Sequence, residues 1–207
     1  MGLDERKVGA MASSYGTDAG KTALRQEYLT VREAWPQASK EGVDSRVRAR
    51  LWGHPFFQDA KLVLSYVSVA SEVDTRAIIE GAWAAGKRVA VPRCMPDGGL
   101  KFFEICSFDE LAIGTKGIPE PTAPVEEALD YPDMVGSVCL VPGLVFDADG
   151  YSIGYGGGYY DSFLPMYPGD KIGLARAMQL SSNPLPHDEH DVPVDVLVTD
   201  AAVWSCR

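Results

Sequence analysis

Long apolar runs are missing from this 207-residue chain: none approaches the ~20 residues needed to span a bilayer. Cysteine is scarce. Cys94, Cys106, Cys139 and Cys206 are scattered through apolar surroundings with no Cys-x-x-Cys pair, which fits small buried hydrophobes in a reducing compartment. Positive charge is also short, with 19 Lys and Arg against 29 Asp and Glu for a net charge of −10. That balance argues against a nucleic-acid or acidic-membrane surface, both of which want a basic face. It leaves room for a phosphate ligand, which needs only a few local basic groups. Residues 1–20 carry Gly, Ser, Ala and both charge signs without an apolar signal core, so a flexible extension is expected there, followed by one domain over 21–207 of a cytoplasmic protein. There is no internal repeat.

Three familiar glycine motifs are absent too. A dinucleotide fingerprint running from Gly154 and Gly156 would need a small residue where Tyr159 stands. A kinase glycine loop would need His-Arg-Asp and Asp-Phe-Gly, and neither tripeptide occurs. Gly16-Thr-Asp-Ala-Gly20-Lys21-Thr22 has three residues between its glycines where the phosphate loop of nucleotide hydrolases has four, and no strand precedes it.

What is present centres on residues 140–164, with glycine at four of the five positions 154–158, then Tyr159, Tyr160 and Asp161. Glycine tolerates positive φ and carries no side chain, so backbone amides here can close on a bulky anion. A helix starting after Gly158 would add free amides. The tyrosines can stack on a flat ring, and Asp161 can hold a metal ion. The plainer alternative is a glycine-rich turn between packed elements, which leaves Tyr-Tyr-Asp unexplained.

The rest of the pattern is α/β. Leu24, Tyr28, Val31 and Trp35 predict an amphipathic helix over 21–35, ended by Pro36, with Lys21 and Arg25 on one side of it. Those two cations are a solvated edge or a phosphate clamp. A second helix is expected over 40–52. Apolar runs at 61–67 and 87–91 flank a helix capped by Asp74 and running to Gly86, a strand–helix–strand unit that implies parallel strands. Further strands are expected over 100–106, 135–141, 171–176 and 192–199, with a turn at 147–150. The fold class is therefore three-layer αβα: a largely parallel central sheet with helices on both faces. Glu72, just past a strand end, is either a surface glutamate or a carboxylate able to accept two hydrogen bonds from an amino-pyrimidine edge. His187, Asp188, Glu189, His190 and Asp191 lack a regular frame and read as a solvated loop rather than a metal site. Asp195 interrupts an apolar run and needs a metal, a donor or solvent as partner.

Taken together, Pro142-Gly-Leu-Val-Phe-Asp147, Gly150 and Gly154-Tyr-Gly-Gly-Gly-Tyr-Tyr-Asp161 resemble the signature of the 5-formyltetrahydrofolate cyclo-ligases. The resemblance extends to Lys21-x-x-x-Arg25, Tyr66-x-Ser68, Glu72-Val-Asp-Thr75, Gly117-Ile-Pro-Glu-Pro121 and His190-Asp-Val-Pro-Val-Asp195. It implies ATP- and Mg²⁺-dependent closure of 5-formyltetrahydrofolate to 5,10-methenyltetrahydrofolate through a phosphorylated formyl group, with no covalent protein nucleophile, in a monomer. By the same resemblance Lys21, Arg25, Ser152, Gly154, Gly156, Gly157, Gly158, Tyr159, Tyr160 and Asp161 meet ATP. Val67, Glu72, Tyr155 and the loop through Tyr159 meet the folate, and Asp161 and Asp195 hold magnesium. Many family members carry arginine where this chain has Ser152, and often a basic residue where it has Ser162. Arg93, Lys171 or Arg176 would have to compensate. Two rival readings are a non-catalytic folate or nucleotide binder and an isomerase or coenzyme A transferase on similar layering.

Overall fold

The computed structural model describes residues 5–206, with side chains from Ala19 onward except Gln37. Of the flexible extension expected over 1–20, residues 1–4 lie outside the described residues and 5–20 belong to the first helix. Helix α1 (Glu5–Ala34) contains most of the helix expected over 21–35 and stops just ahead of Pro36. It is followed by α2 (Gln37–Gly53) and α3 (Pro55–Asp59). The strand–helix–strand unit is β1 (Leu62–Leu64), α4 (Arg76–Ala84) and β2 (Arg88–Cys94), and β3 (Leu100–Glu104) follows. A small ribbon pairs β4 (Leu111–Ile113) with β5 (Pro119–Pro121). Then come β6 (Val138–Val141), a second ribbon of β7 (Val145–Phe146) and β8 (Ser152–Ile153), and α5 (Tyr159–Phe163). The chain closes with β9 (Asp170–Leu174), β10 (Val196–Val198) and β11 (Val203–Ser205).

The central sheet runs β11-β10-β9-β6-β1-β2-β3. Its five inner strands are parallel, and β3 and β11 pair antiparallel at the two edges. Every residue of β1, β6 and β10 is buried, as unbroken apolar strands covered on both faces should be. On one face Val63, Val89, Val138 and Ile172 meet Leu51 of α2, Phe57 of α3 and Ile78 of α4. On the other, Leu62, Leu64 and Cys139 meet Phe163 of α5 with Leu164 and Tyr167 beyond it. This is the three-layer arrangement the sequence implied. Leu24 and Tyr28 of α1 pack apart from both faces, on Val145 and Ile153 of the β7–β8 ribbon.

Several expectations shift. The run at 61–67 pairs only over β1, because the chain then turns out of the ladder: Thr75 Oγ1 donates to the Tyr66 carbonyl at 2.6 Å and accepts the Ser68 amide at 2.9 Å. Thr75, not Asp74, is the cap residue of α4, although an Asp74 carboxylate oxygen accepts the Arg76 amide at 3.0 Å. The cysteines are all free, but only Cys139 is buried as expected, Cys94 and Cys206 being half-buried and Cys106 exposed. No helix among the described residues is long and apolar enough to cross a membrane.

The strand order positions the site. From β1 the sheet grows one way through β2 and β3, and the other way through β6, β9 and β10. The boundary between β1 and β6 is thus a topological switch point, where open α/β sheets leave a crevice beyond the carboxyl ends of their strands.

Candidate functional site

A cleft of roughly 400 Å³ opens at that boundary. Tyr66, Val67 and Glu72, from the segment leaving β1, line it together with Pro142 and Gly143, which leave β6. Glu72 is drawn inward by its own turn: Oε2 accepts the Val69 amide at 2.9 Å, and Ala70 between them sits at φ 50°. Burial raises the Glu72 carboxyl above its ordinary 4.5, against the pull of the Val69 amide and Arg32. Glu72 is therefore half-buried in the cleft rather than on the open surface, and Val67 shares the lining.

The glycine-rich loop lies between β8 and α5. Gly156 at φ +87° and Gly158 at φ +67° take conformations that a side chain resists. Helix α5 is only five residues long, so the helix expected after Gly158 forms but its dipole is slight. Helix α1 clasps this loop. Arg25 Nε donates to the Gly154 carbonyl at 3.1 Å, and a Cβ added at Gly156 would lie 3.3 Å from the Arg25 guanidinium carbon. Arg32, 1% exposed, donates from Nε to Ser71 Oγ at 2.9 Å and from Nη2 to the Tyr155 hydroxyl. Tyr155 itself lines the cleft.

The β4–β5 ribbon forms another part of the lining. Glu120 is buried, and its Oε1 accepts the Cys94 amide at 3.2 Å. Burial, then Glu120, raises the Cys94 thiol above its ordinary 9.0, so this is no thiolate nucleophile. Lys116, in the turn joining β4 to β5, reaches to 5.6 Å from the Tyr159 ring centre. Tyr160 also lines the cleft, and its buried hydroxyl has no hydrogen-bond partner among the described residues.

Near Arg25, Lys21 Nζ is held by Asp188 at 2.8 Å and Asp191 at 2.7 Å. Burial alone would lower the Lys21 pKa, but the two carboxylates outweigh it and the value rises above 10.5. The solvated loop 187–191 therefore reaches the site, with Asp191 in the cleft lining, and supplies a counter-ion rather than a metal cage. Asp161 is exposed to the cleft, and its carboxyl is raised above 3.8 by partial burial and then by Asp191. Ser152 is in the lining as well.

Other expectations meet a different arrangement. Asp195 finds a donor: Oδ2 accepts the Lys171 amide at 2.8 Å and pairs with Lys171 Nζ at 3.0 Å, and it is not part of the cleft lining. Arg93 donates to the carbonyls of Pro121 and Ala123, and Arg176 is locked on Asp44 at 2.8 Å. None of the three cations expected to compensate for Ser152 and Ser162 faces the cleft. No group of three or more His, Cys, Asp or Glu among the described residues is arranged to hold a metal ion. A magnesium ion fits only as one held by a carboxylate together with substrate phosphates, the usual mode for this ion.

Sequence reasoning missed Arg32, Lys116, Glu120 and Asp191. Arg32 had a signal, since it follows Arg25 by about two helical turns and so shares its face. Glu120 stood in the Gly117-Ile-Pro-Glu-Pro121 motif without a role, and Lys116 had no signal, because the reach of both depends on how the ribbon docks.

Comparison with known proteins bears on the family of the chain. A family model described as the 5-formyltetrahydrofolate cyclo-ligase family matches residues 17–200. A 5-formyltetrahydrofolate cyclo-ligase of Escherichia coli (strain K12) is 32% identical over 178 residues, covering 84% of this chain and 96% of that protein. One from Mus musculus is 31% identical over 197 residues, covering 89% and 96%. The NMR structure of Aquifex aeolicus 5,10-methenyltetrahydrofolate synthetase matches with a TM-score of 0.78 and 31% identity over 90% of this chain and 93% of that one.

Proposed function

The chain belongs to the 5-formyltetrahydrofolate cyclo-ligase family, and on that premise we propose that its cleft converts 5-formyltetrahydrofolate and ATP into 5,10-methenyltetrahydrofolate, ADP and phosphate. The observation that carries the reading is the union of two features in one cleft: an inward carboxylate, Glu72, and a glycine loop clasped by Arg25. The first suits the amino-pyrimidine edge of a pterin, which offers paired N–H donors. The second suits a triphosphate, whose oxygens accept from backbone amides and cations.

The chemistry needs no protein nucleophile. The formyl oxygen attacks the γ-phosphorus, and the bond to the bridging oxygen breaks with its electron pair leaving on ADP. N10 then attacks the activated formyl carbon, phosphate departs with the former formyl oxygen, and N10 gives up its proton. Positioning and charge neutralisation dominate such transfers. Val67 and Glu72 orient the pterin, with Tyr155 and Tyr159 along its path toward the loop. Lys21 and Arg25 meet the triphosphate, Lys21 exchanging part of its hold on Asp188 and Asp191 for phosphate oxygens. Magnesium, when bound by Asp161 and the phosphates, neutralises charge on them. Asp195, paired with Lys171 outside the lining, holds the end of β10 rather than the ion.

The test is absorbance at the methenyl product's band with each component left out in turn. The reading expects a rise only with 5-formyltetrahydrofolate, ATP and Mg²⁺ all present. Binding of both ligands without phosphate release would make the protein a non-catalytic binder. Turnover without nucleotide would favour an isomerase-type enzyme.

A further inference from the structure

The departures at Ser152 and Ser162 leave an electrostatic question. Arg93, Lys171 and Arg176 are engaged elsewhere, and Lys21 is held by two carboxylates. Yet a terminal phosphoryl group in transfer spreads negative charge over its oxygens and needs cations on more than one side.

Lys116 answers it from an unexpected element. It is one of two non-glycine residues at positive φ among those described, at φ 56° and ψ 22°. A lysine there is sterically disfavoured, and such strain persists where the surroundings enforce it and clusters at ligand sites. Lys116 lines the cleft from the turn of the β4–β5 ribbon. A Cβ added at Gly157 would lie 3.6 Å from Lys116 Nζ and 2.8 Å from the Tyr159 ring. The bare Gly157 thus makes room for the ring, and the ammonium lies within contact distance of the same glycine. Arg25 sits in the same way beside Gly156, at 3.3 Å from an added Cβ. Two cations distant in sequence therefore lie beside consecutive glycines of one loop. The Arg25 guanidinium is tied to the Gly154 carbonyl, whereas no ion pair of Lys116 occurs among the described residues.

We propose that Lys116 is a phosphate-binding residue of this site, supplying from the β4–β5 turn the positive charge on the terminal phosphoryl group that Ser152 and Ser162 do not. The assignment rests on the cyclo-ligase reading for the identity of the anion, but its test does not require turnover.

The experiment titrates wild type, Lys116→Gly and Lys116→Arg with Mg²⁺ plus either ADP or a β,γ-methylene analogue of ATP, by calorimetry, and measures steady-state kinetics alongside. Glycine takes φ 56° without strain, so Lys116→Gly removes the charge while keeping the turn. It is expected to bind the ATP analogue about tenfold more weakly, to lose less on ADP, and to raise KM for ATP while leaving KM for 5-formyltetrahydrofolate near wild type. Lys116→Arg should recover most of the loss. A folded Lys116→Gly protein that binds the analogue as wild type does would overturn the assignment. A wild type that binds the analogue through Lys116 but forms no methenyl product would sink the cyclisation reading and leave Lys116 in place. Failure of the wild type to bind either nucleotide overturns both.

Discussion

The buried guanidinium of Arg32 on α1 donates to the hydroxyl of Tyr155 in the glycine-rich loop, and its other side is fixed by Ser71 beyond β1. One side chain thus ties together the first helix, the loop and the segment that carries Glu72. Replacing Arg32 by alanine strands the buried Ser71 hydroxyl and empties a fully buried volume. We expect a loss of about 2–3 kcal/mol in chemical denaturation. Lysine should not rescue it, because an ammonium cannot reproduce the fork that reaches Ser71 and Tyr155 together. Unchanged stability in Arg32→Ala would show that the loop holds itself.

Arg176 offers a contrasting case, since its cation serves the fold. Nε and Nη2 pair with the two oxygens of Asp44 at 2.8 Å each, and Nη1 donates to the Ser71 carbonyl at 2.8 Å. With Arg176 1% and Asp44 5% exposed, removing one partner leaves the other charged and buried. Asp44→Ala should therefore cost about 3–5 kcal/mol. The double replacement Asp44→Leu with Arg176→Met should recover much of that loss. Equal damage from the single and double variants would contradict the pairing.

Much of this was legible because it is local. The glycine pattern, the tyrosines after it and the apolar runs of β1, β2 and β6 carry their meaning within a few residues. Asp195 shows the limit: a carboxylate in an apolar run had to have a partner, but only the β9–β10 register reveals Lys171. The same holds for the switch point, because β1 and β6 pair across more than seventy residues of chain that no periodicity links. Lys21 was read as an open cation because nothing local announces that loop 187–191 folds back onto it.

Glu72 gives the site a pH dependence with a definite sign. Burial raises its folded pKa above 4.5, so the folded protein keeps the proton to higher pH than the unfolded chain does. Its contribution to stability is therefore present below 4.5 and is lost as pH rises through the folded value. Ligand binding runs the other way, because the anion accepts two donors and the acid does not. The Kd for 5-formyltetrahydrofolate should fall as pH rises through the Glu72 pKa, and Glu72→Gln should flatten that dependence. A wild-type Kd that is flat over the same range would remove Glu72 from the pterin contact.

Asp161 predicts a metal-linked effect. Its carboxyl, raised above 3.8 by burial and by Asp191, must release its proton before magnesium binds. The Mg²⁺ concentration for half-maximal activity should then rise as pH falls toward that pKa. Asp161→Asn should raise it about tenfold or more at neutral pH, with the folate Kd little changed. If the variant keeps the wild-type magnesium requirement, the phosphates alone hold the ion.

Tyr160 combines a stability test with a binding test in one substitution. Its hydroxyl lies buried at the cleft without a partner among the described residues, although such a group normally finds one. An unsatisfied buried polar group costs about 1–3 kcal/mol, so Tyr160→Phe should stabilise the ligand-free protein. For a chain of this length that amounts to roughly 2–4 °C in Tm per kcal/mol. If the hydroxyl waits for a ligand, saturating 5-formyltetrahydrofolate should raise the Tm of wild type more than that of the variant, narrowing or reversing the gap. Equal ligand-induced shifts would mean that the hydroxyl meets nothing in the complex. A variant less stable than wild type in the free state would mean that the hydroxyl is already satisfied there, and the gap it leaves belongs to the fold alone.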